Sequence, residues 1–344
     1  TTTRFTILML LKKIIKNLPI GIQKINIKGL SLNSRQIKKN YLFFALRGIK
    51  YNGENYIFNA IRKGAKAIVC DINCKIKSKK IPIIKVKNIK ETISYGCRAF
   101  YQKKPKNIIA VTGTNGKSSV VDFYHQILIS QKIPVACLGT LGIKINNKVT
   151  RTNLTTLDII SLHRELEKIK MLGIDNVILE ASSHGLEQGR LDGINFKTAI
   201  FTNFSQDHLD YHENMKNYLS AKLILFSKLL GKEKNIITDN EIPEFLKLKK
   251  IVKKNNLNLL TIGKKNSTIQ FKLIKSVGNF QNIIFKHKKK KYTVNIPLIG
   301  LFQIKNLFMS ILAIILSGVD IKKFLHVIRN IKEVNGRLQL IRTI

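Results

Sequence analysis

The sequence predicts an α/β fold, with a small N-terminal α/β domain and a central, mostly parallel sheet of the P-loop type flanked by helices. Two observations support this prediction. In the first ninety residues, short apolar runs follow the strand-turn-helix-strand order of a small α/β domain. Beyond them, short runs rich in Val, Ile and Leu alternate with helical stretches, which is typical of a parallel sheet buried on both faces.

We expect an N-terminal domain over residues 1–90 and a central domain over residues 91–335. The predicted elements of the first are the strands Tyr41–Leu46, Ala67–Cys70 and Ile83–Val86 and the helix Tyr56–Lys63. Those of the second are the strands Ile108–Thr112, Val135–Leu138, Asn176–Leu179 and Lys197–Thr202 and the helices Lys90–Tyr101, Val120–Ser130 and Leu157–Leu172. Residues 265–296 are predicted as strands around the basic turn Lys286–Lys291, most simply a solvated hairpin tip.

The composition fits a folded protein with an unusual charge. Of the 344 residues 44% are hydrophobic, which excludes a disordered basic tail or a collagen-like chain. Lys and Arg number 61 against 20 Asp and Glu, a net charge of +41 that would attract polyanions. The lysines are dispersed among many Ile and Asn residues, and all three residue types have A/T-rich codons. Genome composition therefore explains the charge more simply than a nucleic-acid surface.

Neither a structural metal nor a membrane span is predicted. The four cysteines form no C-x-x-C pair, so reduced thiols in a cytosol are the default. The apolar run Leu307–Val319 is shorter than the roughly 20 residues that cross a bilayer and predicts a buried helix. Thr1–Leu18 has no small-residue cleavage site after its apolar core and makes a poor signal peptide.

A glycine-rich turn joins the predicted strand Ile108–Thr112 to the next helix. Glycines let backbone N–H groups approach phosphate, Lys117 neutralises its charge, and the Ser118 hydroxyl stands where Mg²⁺ would bind. The spacing departs from G-x-x-x-x-G-K-[ST], because Val111 occupies the first glycine position. A glycine turn with an incidental lysine is the alternative. The predicted phosphate-binding residues are Gly113, Thr114, Asn115, Gly116, Lys117, Ser118 and Ser119.

Acidic and imidazole side chains follow two later strands. Glu180 comes directly after Val177–Leu179, and His208 follows the strand Lys197–Thr202. The carboxyl ends of parallel strands share one edge of a sheet, so we expect both groups on one rim, where a carboxylate can hold Mg²⁺. A solvated acid and a structural histidine are the alternatives.

Several sequence motifs of this chain resemble those of one known family. The loop G-T-N-G-K-S resembles that of the Mur ligases and of the related folylpolyglutamate synthetases, which use ATP to join an amino acid to a carboxylate. The strings E-A-S-S-H-G-L from Glu180, N-F-S-Q-D-H-L-D-Y-H from Asn203 and A-K at Lys222 resemble the Mur ligases that add the third residue of the peptidoglycan stem peptide. The resemblance implies that Glu180 and His208 bind Mg²⁺ with Ser118. It also implies that Lys222 is carbamylated and bridges magnesium, and that Lys117, Lys222 and His208 are catalytic.

The resemblance also implies substrate contacts. Leu32 and Ser34 match positions that hold uridine diphosphate, although Asn33 replaces the usual Asp and Lys50 stands at a usually uncharged position. Asn306 matches an asparagine near adenine. The residues that match the muramoyl-peptide site are Thr155, Thr156, Ser182, Gln188 and Arg190.

The implied activity is ATP-dependent addition of an amino acid to UDP-N-acetylmuramoyl-L-alanyl-D-glutamate through an acyl phosphate. The amino acid is most simply meso-diaminopimelate, with lysine as the alternative. The implied partners are that UDP-N-acetylmuramoyl dipeptide and a free amino acid, with no nucleic acid and no membrane, in a cytoplasmic monomer. After a G-R-x-E segment, here Gly336–Gln339, the family continues into a C-terminal domain with D-Y-A-H and D-N-P-R strings, which these 344 residues lack. We therefore expect residues 336–344 to begin a missing domain. A folylpolyglutamate synthetase-like ligase and a basic nucleic-acid-binding P-loop protein are the alternatives.

Overall fold

The computed structural model describes residues 8–48, 51–277 and 280–334. They form two compact units. The first contains the described residues up to Lys103 together with 158–167 and 192–194, and the second contains the rest. The predicted domain limits near residues 90 and 335 stay predictions. The predicted start of a further domain at 336–344, and Lys50, lie outside the described residues.

The first unit is built on a sheet of four parallel strands in the order β3-β4-β5-β6, with a short antiparallel pair, β1-β2. Its strands are β1 Met9–Leu10, β2 Asn26–Ile27, β3 Gly29–Ser31, β4 Tyr41–Phe44, β5 Ala65–Asp71 and β6 Ile83–Val86. Its helices are α1 Leu11–Ile14, α2 Ile57–Arg62 and α3 Ile89–Phe100. Leu42 and Phe44 pack in one core cluster and Phe43 in another, because successive strand residues point to opposite faces.

The second unit is built on an eleven-stranded sheet in the order β10-β9-β8-β11-β7-β12-β13-β14-β15-β16-β17. Its strands are β7 Asn107–Thr112, β8 Val135–Gly139, β9 Gly142–Ile145, β10 Lys148–Thr150, β11 Asn176–Glu180, β12 Thr198–Phe201, β13 Asn235–Asp239, β14 Asn258–Gly263, β15 Ile269–Val277, β16 Phe280–His287 and β17 Lys290–Ile296. Its helices are α4 Lys117–Ser130, α6 Ser183–Glu187, α7 Leu209–His212, α8 Met215–Ile224, α9 Phe245–Asn255, α10 Leu301–Leu316 and α11 Ile321–Ile328. Helix α5, Ile159–Met171, belongs to the first unit up to residue 167 and to the second beyond it.

Strand β7 lies between β11 and β12, and all three run parallel. Its residues Ile108–Val111 are fully buried, as expected for a strand covered on both faces. Helices α4 and α10 pack with Ile109 and Val111 in the largest core cluster. The segments that leave the carboxyl ends of β7, β11 and β12 therefore meet at one edge of the sheet, where an open α/β sheet binds its ligands.

The predicted α/β class is confirmed, and most predicted elements lie within two residues of the observed ones. The predicted buried helix begins earlier, at Leu301. The basic turn is shorter than predicted, because Lys286 and Lys290–Lys291 pair within β16 and β17. The segments β9–β10 and β13–α9–β14 carry no sequence prediction. Over the described ranges, every helix is too short or too polar to cross a membrane.

Candidate active site

The predicted phosphate-binding loop, Gly113–Gly116 (the phosphate loop), connects β7 to α4. Gly113 and Gly116 have φ values of +140° and +86°, which favour glycine. A Cβ atom at Gly113 would collide with Thr202 Oγ1, and one at Gly116 would lie 2.5 Å from Asn306 Oδ1. The loop also receives support from the segment after β12, where the Asn203 carbonyl accepts the Thr114 N–H at 2.9 Å. Two glycines thus let the loop pack closely between β12 and α10.

Two lysines converge on one carbonyl of this loop. Lys117 Nζ donates to the Gly113 and Thr114 carbonyls at 2.9 and 2.8 Å. Lys222 Nζ donates to the same Gly113 carbonyl at 2.7 Å and lies 4.2 Å from the centre of the Tyr218 ring. The predicted catalytic lysines are therefore brought together from α4 and α8.

Lys222 is 1% exposed. Burial, and then the neighbouring Lys117 ammonium, lower the pKa of Lys222 to about 6. Both effects disfavour a second positive charge in a space that excludes water. A substantial share of the side chain is therefore neutral near pH 7, and a neutral amine can react with CO₂.

The carboxylate of Glu180 lies at the carboxyl end of β11 and is 2% exposed. Ser118 Oγ donates to its Oε1 at 3.0 Å. The Thr140 N–H and hydroxyl donate to Oε1 and Oε2 at 3.0 and 3.1 Å. These donors are neutral, so a bound cation would offset the buried negative charge. Thr140 was not predicted, although its place directly after the buried strand β8 was a usable signal.

His208 precedes α7 and has a left-handed backbone, with a φ of 49°. Its ring centre lies 5.2 Å from that of His184 and 6.1 Å from that of Tyr218, and its Nε2 is 3.5 Å from Asp207 Oδ2. Within the described ranges, no three His, Cys, Asp or Glu side chains are close enough together to hold a metal ion. A magnesium site that includes His208 stays a prediction.

The five residues predicted to hold the muramoyl peptide form a connected network around the end of β11. Thr156 Oγ1 donates to the Glu180 carbonyl at 2.9 Å and lies 3.0 Å from Ser182 Oγ. Arg190 Nε and Nη2 donate to Gln188 Oε1 at 3.0 and 2.6 Å, and Arg190 Nη1 donates to the Thr156 carbonyl at 2.8 Å.

Two contacts extend this network. Thr155 Oγ1 lies 3.1 Å from Thr140 Oγ1, and Gln188 Nε2 donates to Tyr211 Oη at 3.2 Å. Tyr211 was not predicted as a site residue, because its hydroxyl lies near Gln188 only in the folded chain. The network joins the predicted peptide-binding residues to the predicted metal-binding Glu180 through shared neighbours.

The remaining predicted residues belong to α10 and to the first unit. Asn306 is buried in α10 and its Nδ2 donates to Gln303 Oε1 at 3.2 Å. In the first unit, Ser34 is buried and begins a short 3₁₀ turn directly after β3, where Asn33 Oδ1 accepts the Arg35 N–H at 2.9 Å. The partly buried Leu32 packs against the core on one face of that sheet. Their roles with uridine and adenine stay predictions.

Comparison with known proteins identifies the family. Residues 111–314 match the Mur ligase middle domain, and residues 26–115 match the Mur ligase family catalytic domain. A UDP-N-acetylmuramoyl-L-alanyl-D-glutamate–2,6-diaminopimelate ligase of Rickettsia bellii is 40% identical over 92% of this chain and 66% of that protein. The Rickettsia conorii protein of the same name is 38% identical over 94% and 68%. The chain spans about two thirds of the length of these curated relatives.

Comparison with solved structures gives a similar result. A structure of a ligase with that name superposes with a TM-score of 0.86 at 26% identity, over 98% of this chain and 69% of the other. A MurF ligase from Thermotoga maritima in complex with ADP superposes with a TM-score of 0.61 at 18% identity, over 91% and 68%, which is a likeness of fold alone. On the match of the middle domain and the identity to these relatives, the chain belongs to the Mur ligase family.

Proposed function

We propose that this chain binds ATP and UDP-N-acetylmuramoyl-L-alanyl-D-glutamate as part of an ATP-dependent ligase that adds meso-diaminopimelate as the third residue of the peptidoglycan stem peptide. The proposal depends mainly on one observation. The Ser118 hydroxyl and the Glu180 carboxylate are hydrogen-bonded beside two lysines that share the Gly113 carbonyl. The names of the relatives support diaminopimelate rather than lysine.

The phosphate loop fits the phosphates of ATP. Its glycines let the backbone pack closely against Thr202 and Asn306, and α4 begins directly after the loop, at Lys117. Backbone N–H groups at a helix N-terminus attract negative charge. The Lys117 ammonium donates hydrogen bonds to two carbonyl groups of the loop. When ATP binds, it would donate to phosphate oxygens instead. These hydrogen bonds are stronger because the phosphate oxygens are charged.

The same edge of the sheet fits Mg²⁺. A buried carboxylate bonded to a hydroxyl is a donor set that Mg²⁺ accepts together with phosphate oxygens. Ser118 and Glu180 would hold the ion, with His208 and a carbamylated Lys222 as further ligands. Bound there, Mg²⁺ would neutralise negative charge on the phosphates.

The surroundings of Lys222 favour its carbamylation. The lone pair of the neutral amine forms a bond to the carbon of CO₂ and the nitrogen loses a proton, which leaves a carbamate anion. This places an anion beside the Lys117 ammonium, where the same ammonium disfavours a protonated Lys222. The family resemblance of the Ala221–Lys222 pair supports the same modification.

The reaction then depends on positioning and electrostatics. Arg190 and its partner Gln188, with Thr156 and Ser182, would hold the acceptor peptide near the phosphate loop. The D-glutamyl carboxylate would attack the γ-phosphorus, with ADP as leaving group. An amino group would then attack the acyl phosphate carbon and release phosphate. A cytoplasmic location, a monomeric state and the absence of nucleic-acid and membrane partners stay predictions.

Ligand-dependent thermal unfolding tests this proposal against a folylpolyglutamate synthetase-like function. A ligand that binds only the folded chain raises the midpoint of unfolding. We expect a concentration-dependent rise with UDP-N-acetylmuramoyl-L-alanyl-D-glutamate and none with a folate. Stabilisation by the folate and none by the uridine compound would refute the proposal.

A further inference from the structure

We propose that Lys305 is a positioning residue for nucleotide binding, because its ion pairs with Asp239 and Glu241 hold the start of α10 and thereby keep Asn306 against the phosphate loop. The inference rests on the proposed ATP site and goes beyond the groups assigned to it. It concerns a residue that touches neither the loop nor the predicted metal ligands in any contact described above.

The ion pairs join two distant segments. Lys305 Nζ lies 2.5 Å from Asp239 Oδ2 and 3.1 Å from Glu241 Oε2. Asp239 is the last residue of β13, and Lys305 lies in the second turn of α10. Glu241 Oε1 also accepts the Lys264 N–H, at 3.3 Å, from the segment after β14. One ammonium group therefore connects α10 to the carboxyl ends of two neighbouring strands.

Burial makes this connection costly to break. Asp239 is 2% exposed, and the side chain of Lys305 is 23% exposed. Burial disfavours the ammonium, but the hydrogen bonds to Asp239 and Glu241 outweigh this effect and raise the pKa of Lys305, so the cation persists at neutral pH. Removing it would leave the Asp239 carboxylate buried without its cation, which is costly.

Asn306, the residue after Lys305, links the position of α10 to the phosphate loop. Asn306 Oδ1 would lie 2.5 Å from a Cβ atom at Gly116, so the two residues are in close contact. One turn later, Ser310 Oγ donates to the Val120 carbonyl of α4 at 2.9 Å. The start of α10 thus forms the wall against which the phosphate loop and the first turn of α4 pack, and a shift of α10 must move or loosen the loop.

Titration with Mg·ATP tests the inference in the full 344-residue chain. We expect Lys305→Met to weaken Mg·ATP binding at least about fivefold, the lower end of typical coupling between sites, and to leave binding of UDP-N-acetylmuramoyl-L-alanyl-D-glutamate unchanged. Lys305→Arg should keep most of the affinity. The matched control is Lys323→Met, which removes an exposed lysine from the first turn of α11 and should change neither affinity.

A second variant separates positioning from stability. Lys305→Met combined with Asp239→Asn removes the unpaired buried charge, while the amide oxygen can still accept the Glu241 N–H. We expect the double variant to regain much of the lost stability but not the lost Mg·ATP affinity. Recovery of both together would reduce Lys305 to a structural role and overturn the inference.

Amide hydrogen exchange measures the mobility of the phosphate loop without any nucleotide present. In the ligand-free chain, Lys305→Met should speed exchange over residues 113–122 and leave β9–β10 unchanged. If the unmodified chain binds no ATP, the proposed function fails, yet this exchange still decides whether Lys305 holds the loop. Unchanged exchange at the loop, or unchanged Mg·ATP affinity in a chain that binds ATP, would overturn the inference while the proposed function could stand.

Discussion

Ser118 Oγ, in the first turn of α4, donates a hydrogen bond of 3.0 Å to Glu180 Oε1 at the carboxyl end of β11. The two residues are 62 positions apart in the sequence. They meet because β11 pairs directly with β7, which places Glu180 opposite Val111 just before the phosphate loop. A hydroxyl and a carboxylate are thereby held together at the edge of the sheet where we propose that magnesium binds.

Replacing Glu180 with Gln tests this pair. The amide keeps the size of the side chain and an oxygen for Ser118, but it removes the charge. We expect Glu180→Gln to weaken Mg·ATP binding roughly tenfold, the scale of one hydrogen bond to a charged group, and to change ATP binding little when magnesium is chelated. Isothermal calorimetry with and without magnesium measures both. Glu233→Gln, at an exposed position, is the control, and an equal loss in chelated buffer would speak against a metal role for Glu180.

Gly116 and Gly173 form a matched pair for the close packing of the loop. Both have positive φ, +86° and +79°, so Ala at either costs about 1 kcal/mol or more in backbone strain. Only at Gly116 would the new Cβ also meet a neighbour, Asn306 Oδ1 at 2.5 Å, whereas Gly173 has open space. We expect Gly116→Ala to weaken Mg·ATP binding and Gly173→Ala to lower stability alone. Equal nucleotide affinities in the two variants would show that the contact with Asn306 is unimportant.

The lowered pKa of Lys222 predicts a pH dependence of stability. Its ordinary pKa is 10.5, and in the folded chain it is about 6. Between these values the unfolded chain binds a proton that the folded chain lacks, so the free energy of unfolding rises with pH. We expect Lys222→Met to flatten this rise in CO₂-free buffer, measured by denaturant unfolding at several pH values. Identical pH profiles for the two chains would contradict the assignment.

The same lysine should react with CO₂ when it is neutral. We expect a carbamate carbon signal in the NMR spectrum of the chain under ¹³C-labelled bicarbonate, and its absence in Lys222→Met. A signal that persists in the variant would assign the carbamate to another amine.

Much of the fold could be predicted because neighbouring sequence patterns indicate the same elements. The apolar run Ile108–Thr112, the glycines after it and the helix beyond all indicate one strand-loop-helix unit, which the structure confirms. Glu180 was predicted at a strand end because a charged residue directly after a buried apolar run marks the point where the strand leaves the core. The α9 segment was not assigned, because its many lysines hide an apolar face of which only Leu248 is buried.

Contacts between distant residues could not be predicted. Lys305 is one of many lysines, and only the packing of α10 beside β13 brings it to Asp239, 66 residues away. His208 follows a strand as predicted, but its left-handed backbone turns the chain toward His184 and Tyr218. Strand order decides such neighbours, and local patterns in the sequence do not reveal that order.

The most direct test of the ATP site is a calorimetric titration of the chain and of Lys117→Ala with Mg·ATP. The ammonium of Lys117 is bonded to the Gly113 and Thr114 carbonyls of the loop, and we propose that it binds phosphate, so its loss should weaken binding by about 1.5–3 kcal/mol, or more than tenfold. Lys148→Ala, an exposed lysine in β10, should bind as the unmodified chain does. One-to-one binding that depends on Lys117 is the predicted result, and equal affinity of the chain and Lys117→Ala would contradict the account.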